Sequence, residues 1–197
     1  MEKAIFTIFM LCTIVLSDVP MSHGKGSVSI EKGPKAMEKW FKEIAGANEK
    51  VTQLHFYLHD IVSGSSPTNI PIAMANSTAR SPTYFGLIAA MDDLLTEGPS
   101  PDSGIVGRAQ GLFGSTSLEE IAYHMTFNFV FTNGKYNGST LSVIGHNPFL
   151  HEYRELSIVG GSGVFRLARG TTVLKTLSYN STSGDAIVEY NVTIIHY

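Results

Sequence analysis

DAIVEYNVTIIHY, residues 185–197, is the stretch that decides the fold. Val188, Tyr190, Val192 and Ile194 alternate with Glu189, Asn191 and Thr193, so apolar and polar side chains fall on opposite faces of an extended chain. A period of two makes this a half-buried β-strand with Asn191 on the wet face. Working back toward the N-terminus, runs of the same texture occur at 51–62, 69–76, 83–91, 105–113, 122–132, 139–146, 154–159, 163–169 and 171–179, with a last strand over 185–196. They are separated by turn-forming clusters such as NGKYNG (133–138) and GGSG (160–163). Nothing between them reads as a helix long enough for a parallel crossover. The pattern predicts an all-β antiparallel protein, and a closed barrel in preference to a sandwich.

Before residue 51 the texture differs. Residues 24–50 are rich in Gly, Lys and Glu, and Met37, Trp40, Phe41 and Ile44 recur at helical spacing within KAMEKWFKEIAG (35–46), which reads as a peripheral arm. Lys3 precedes AIFTIFMLCTIVL, residues 4–16. A short apolar run behind a basic residue is the layout of a secretory signal, here assigned to residues 1–23, with cleavage after Ser17 or near Ser22 to Gly24. The alternative, a retained anchor, is disfavoured because spanning requires about 20 apolar residues. The only cysteine, Cys12, lies in that segment, which excludes cysteine nucleophiles, zinc–thiolate sites and disulfide scaffolds from the mature chain. Secretion gives meaning to the Asn-x-Ser/Thr sequons at Asn76, Asn137, Asn180 and Asn191, which predict a glycoprotein in the extracellular space. A net charge of −3 with acids and bases interspersed provides no basic stripe for nucleic acid and no polybasic membrane patch.

The candidate chemistry comes from polar residues on apolar faces. In FYLHDIVSG (56–64), parity groups Asp60 with Leu54, Phe56, Leu58 and Val62. One reading is a turn-capping aspartate. The other is a buried acid whose carboxyl is kept protonated by desolvation and acts as a general acid. Arg154 shares a face with Leu156 and Ile158; inside, it needs an anion, and Asp60 is the obvious one, while the bland alternative is an exposed arginine at a strand entrance. Asn147 falls with Leu141 and Val143, whereas His146 goes with the polar side. No metalloprotease, serine-hydrolase, nucleotide or dinucleotide fingerprint is present, and the histidines form no metal-ligand spacing. These residues describe an apolar, aromatic lumen suited to a small ligand with hydroxyls to orient.

FYLHDIVSG, VGRAQGLF, FNFVFTNGKYNGSTLSVIG, RELSIVGGSGVFRLARG and DAIVEYNV occur in that order, and together they resemble the plant dirigent family from about Leu54 to Tyr197. The resemblance implies an eight-stranded antiparallel β-barrel like that of allene oxide cyclases over residues 51–197, homodimers or homotrimers, and action in the plant apoplast without metal or cofactor. It implies one of three roles. The first is a non-oxidising director that orients phenoxy radicals, such as those of coniferyl alcohol, supplied by a separate laccase or peroxidase, so that coupling yields optically active lignans. Close behind stands a pterocarpan-synthase-like dehydratase acting on a hydroxyisoflavan; the last is a cell-wall phenolic-binding barrel without turnover. Asp60 matches the acid of the family's HDI motif and Arg154 the arginine before its VGG segment, and these are the expected catalytic pair. Asn147 stands where the pinoresinol directors carry an aspartate, and Phe113 where they often carry a tyrosine; with Phe56 these are the expected substrate contacts. The departures at Asn147 and Phe113 weaken the assignment to pinoresinol formation, while NGKYNGSTLSVIG with NP following, and VFRLARG, resemble the subfamily that includes the pterocarpan synthases, from whose pattern His146 departs where an arginine is usual and Leu94 where a proline is usual.

Overall fold

The computed structural model describes residues 33–197; the expected signal segment and the start of the expected arm lie outside the described residues. Nine antiparallel strands follow one helix: α1 (Pro34–Ile44), β1 (Lys50–Asp60), β2 (Asn69–Met74), β3 (Leu87–Thr96), β4 (Ile105–Ser115), β5 (Ala122–Phe131), β6 (Thr140–Pro148), β7 (Arg154–Ser162), β8 (Arg169–Tyr179) and β9 (Ala186–His196). The order β1-β9-β8-β7-β6-β5-β4-β3 closes on itself through a short β1–β3 seam, Tyr57 to His59 against Thr96 to Leu94, and β2 adds outside β3. This is the expected eight-stranded barrel with one extra strand.

Closure puts one face of every barrel strand inside. On β9, Val188, Tyr190, Val192 and Ile194 are buried and Asn191 is exposed, as the alternation requires. The lumen is filled chiefly by aromatics. Phe56 and Phe127 both pack edge-on against Phe129, at 4.9 and 5.2 Å between centroids, and Tyr190 packs edge-on against Phe129 at 5.3 Å. Such contacts satisfy the ring quadrupoles and contribute beyond area burial. Gly111 is required where β4 crosses β5, since a Cβ there would lie 2.4 Å from the Phe127 Cα. Helix α1 buries no residue and is tied to the barrel through Trp40, over which the Arg166 guanidinium lies at 5.4 Å. Just beyond it, Arg169 donates two hydrogen bonds to the Glu49 carboxylate, at 2.7 and 2.9 Å.

Two strand assignments need correction. The strand expected over 163–169 is absent: a 3-10 turn, Gly163–Phe165, links β7 to β8, which starts only at Arg169, with Gly163 and Leu167 at φ 64° and 56°. Its one buried residue, Phe165, plugs the barrel end against Phe131 and Tyr136. The run placed at 83–91 starts late and ends late. Tyr84 and Gly86 adopt φ 57° and 91° in the approach turn, and the strand runs on through Asp92 and Asp93 to Thr96.

Candidate functional site

At the barrel end opposite Phe165 the packing stops short and leaves a cavity of about 230 Å³. Asp60, Arg154, Asn147 and Phe113 all line it. Phe56 does not: it is only 1 % exposed and belongs to the aromatic cluster below. The rim is an aromatic collar in which Phe113 meets Tyr123 at 5.2 Å, Tyr123 meets Phe149 at 6.1 Å and Phe149 meets Tyr179 at 5.2 Å. Leu58, Met91, Leu174 and Val188 form the apolar wall.

Arg154, at the start of β7, is 4 % exposed. Its Nε donates to Asn147 Oδ1 at 3.0 Å and its Nη1 to the His151 carbonyl at 3.3 Å. Its partner is therefore a neutral amide rather than Asp60, a correction to the pairing anticipated from sequence. Burial lowers its pKa from the usual arginine value. A desolvated guanidinium held by neutral acceptors favours an anionic or electron-rich oxygen in the cavity.

Asp60 ends β1 and faces inward, and its Oδ1 accepts from Asn69 Nδ2 at 2.6 Å. Desolvation is the main cause that raises its pKa to about 6, with the Asp185 charge adding to the rise and the Asn69 bond opposing it. The same Asn69 amide reaches both oxygens of Asp93 at 3.3 Å. Asp93 is 1 % exposed and accepts from Thr68 Oγ1 at 2.5 Å; burial, and then the Asp60 charge, raise its pKa to about 8. Burial likewise pushes the Tyr123 hydroxyl up to about 12 and raises that of Tyr190. Asn69 Oδ1 is buried without a hydrogen-bond partner among the described residues.

Sequence reasoning missed Asn69 and Asp93. Asp93 was detectable by parity, because it shares the inner face with Ala89, Met91 and Leu95, while Asp92 points out toward Arg108 and Gln110. Among the described residues no group of three or more His, Cys, Asp or Glu side chains is arranged to hold a metal.

The fold and site together are those of a closed antiparallel barrel with an acid, a guanidinium and an amide lining an aromatic-rimmed end cavity. The family model of the Dirigent-like proteins matches residues 51–195, and the chain belongs to the dirigent family. It is 51 % identical over 148 residues to Dirigent protein 21 of Arabidopsis thaliana, covering 75 % of this chain and 78 % of that one. It is 47 % identical over 150 residues to Pterocarpan synthase 1 of Glycyrrhiza echinata, covering 76 % and 80 %. The solved structure of the pterocarpan synthase dirigent protein GePTS1 superposes with a TM-score of 0.70 at 46 % identity, over 76 % of this chain and 89 % of that one.

Proposed function

We propose that the end cavity binds one phenolic alcohol and removes water from it stereoselectively, as a pterocarpan-synthase-like dehydratase. The observation that carries this reading is the half-buried Asp60 carboxyl that lines the cavity, where desolvation raises its pKa to about 6. A general acid works best when its pKa lies near the working pH, and a mildly acidic extracellular fluid would keep Asp60 largely protonated. In this reading protonated Asp60 gives its proton to the leaving hydroxyl, the carbon–oxygen bond breaks and water departs. The phenolic proton passes to solvent, leaving a quinone-methide-like intermediate, and Arg154 stabilises the phenolic oxygen as charge develops there. A second phenol oxygen then adds to the quinone methide and closes the ring, its proton returns to Asp60, and the first phenolic oxygen takes a proton back from solvent. Phe113 and Asn147 set which face of the ring is presented. A cavity of about 230 Å³ lies below the ~300–1,000 Å³ of drug-sized sites and suits one compact molecule better than two.

The second reading is the director role, in which a laccase or peroxidase makes monolignol radicals and the barrel only orients them for lignan formation. The identity to Dirigent protein 21 favours it. Chiral chromatography separates the two. The dehydratase converts a hydroxyisoflavan without oxidant, whereas a director changes only the enantiomeric ratio of coniferyl alcohol coupling when laccase is present. A barrel active in neither assay is a binding protein.

We further propose that the chain is secreted to the apoplast, glycosylated and self-associating. Asn76, Asn137, Asn180 and Asn191 are all exposed, which supports modification at the four sequons. Exposed Ile70, Ile72 and Met74 on β2, with Ile88 and Leu112 on the neighbouring strands, supply an apolar surface for a homodimer or homotrimer.

A further inference from the structure

Two carboxyls end on one amide: Asn69 Nδ2 lies 2.6 Å from Asp60 Oδ1 and 3.3 Å from each oxygen of Asp93. Like charges joined so closely in a buried site do not both ionise at neutral pH. We propose that Asp93 is a positioning residue that holds its proton, so that Asp60 is the only member of the pair that exchanges a proton with the cavity.

Geometry assigns the proton to Asp93. A buried carboxylate needs several good donors or a cation. Asp93 has the long, shared amide contact and one hydroxyl, Thr68 Oγ1 at 2.5 Å. The guanidinium whose charge acts on Asp93, that of Arg108 on β4, is engaged by Asp92 on the outer face. Asp60 takes the short amide bond and keeps some exposure to the cavity, which favours its charged form. If Asp93 donates to Thr68 Oγ1, that hydroxyl can still accept from Ile61 N–H at 3.0 Å and turn its own proton to the Ile61 carbonyl at 3.3 Å. A single threonine proton cannot serve an ionised Asp93 and that carbonyl together.

The ionisable groups that act on the pair are Arg108 on β4, Tyr190 on β9, Tyr123 on β5 and Asp185 before β9. The Thr68 and Asn69 hydrogen bonds and, as the one charged group, Arg108 draw Asp93 toward ionisation, and burial with the Asp60 charge outweighs them. Through Asn69 and Thr68 the neutral carboxyl ties the start of β2 and the end of β1 to β3, and thereby fixes where the Asp60 carboxyl sits.

The inference rests on the reading of Asp60 as the proton-exchanging group for its functional meaning, but its test uses no substrate. Infrared spectra of the full chain at pH 7 are compared for wild type, Asp93→Asn and Asp60→Asn. The expected result is a protonated-carboxyl C=O band in wild type that Asp60→Asn retains and Asp93→Asn loses. No band in wild type, a band that Asp60→Asn removes, or one that survives in Asp93→Asn overturns the proposal. If Asp93→Asn does not fold, the Asp60→Asn spectrum decides alone. Failure of both substrate assays with the expected spectra refutes the proposed function and leaves the proton assignment standing.

Discussion

Asp60→Asn should make the protein more stable and functionally dead, and the gain should appear only above the acid range. The rise in the Asp60 pKa from 3.8 to about 6 means that the folded state binds this proton more tightly than the unfolded chain does. Stability linked to the group is therefore fully present below about 4, is lost as pH climbs toward about 6, and stays lost above it. At about 1.4 kcal/mol per pH unit the loss amounts to ~3 kcal/mol at pH 7.5. Asparagine cannot ionise, and its carbonyl oxygen can keep the 2.6 Å bond from Asn69. Thermal unfolding followed by circular dichroism at pH 4 and pH 7.5 measures the gap between variant and wild type. At roughly 2–4 °C per kcal/mol for a domain of this size, the variant should melt about 6–12 °C higher at pH 7.5 and almost level with wild type at pH 4. A gap that is equal at the two pH values, or reversed, would show that the Asp60 carboxyl is not the buried acid argued above. Turnover or selectivity should fall by about 10²–10⁴-fold, the usual contribution of a general acid.

Arg154→Lys keeps the charge but not the planar fork that reaches Asn147 and His151; losing charge-assisted bonds of ~1.5–3 kcal/mol should cut turnover or enantiomeric excess by roughly 10–100-fold, measured with the chiral assay. Phe129→Ala empties the centre of the aromatic cluster and should cost about 3–5 kcal/mol in urea unfolding, because rings held on several sides cannot collapse into the space. Gly111→Ala drives a Cβ to within 2.4 Å of β5 backbone and should abolish soluble expression, whereas Gly160→Ala meets nothing within 4 Å and should change stability by less than about 0.5 kcal/mol.

Period-two alternation carried most of the fold because a barrel has one inside, and residues on that side had to be apolar. It misled where local apolarity has another cause. TYFGLIAAM looked like one strand, yet its first half is a turn held by Thr83 Oγ1 on the Ser117 carbonyl and Ser81 Oγ on the Phe85 amide. Two adjacent acids then looked like the end of a strand, although the pleat sends Asp92 out to Arg108 and Asp93 into the core. GVFRLAR looked extended because Val164, Phe165 and Leu167 are apolar, but only Phe165 of its turn is buried and it serves as an end plug. Asp60, Asn147 and Arg154 were legible as inward polar residues. Their pairing was not, since partners across a barrel depend on strand stagger that no single strand encodes.

That stagger also shapes the end of the barrel where the chemistry is proposed. β1 pairs with β3 over only Tyr57 to His59, so the chain after Asp60 is free to turn outward and return as β2. The turn is held on both sides. Thr68 and Asn69 fasten it to Asp93, and the Asp185 carboxylate accepts from the Val62 and Ser63 amides at 2.9 and 3.1 Å. Hydrogen bonds from Ser63 and Ser183 hold the pKa of this half-buried Asp185 below the usual aspartate value. It therefore stays ionised where Asp60 and Asp93 are protonated, and its support for the turn disappears only as pH falls through its own lowered pKa. Three aspartates, from the end of β1, the interior of β3 and the approach to β9, thus meet around one turn with three separate proton affinities, set by exposure and donors rather than by residue type: the outermost clamps, the innermost holds its proton in the proposed assignment, and the one between them faces the cavity.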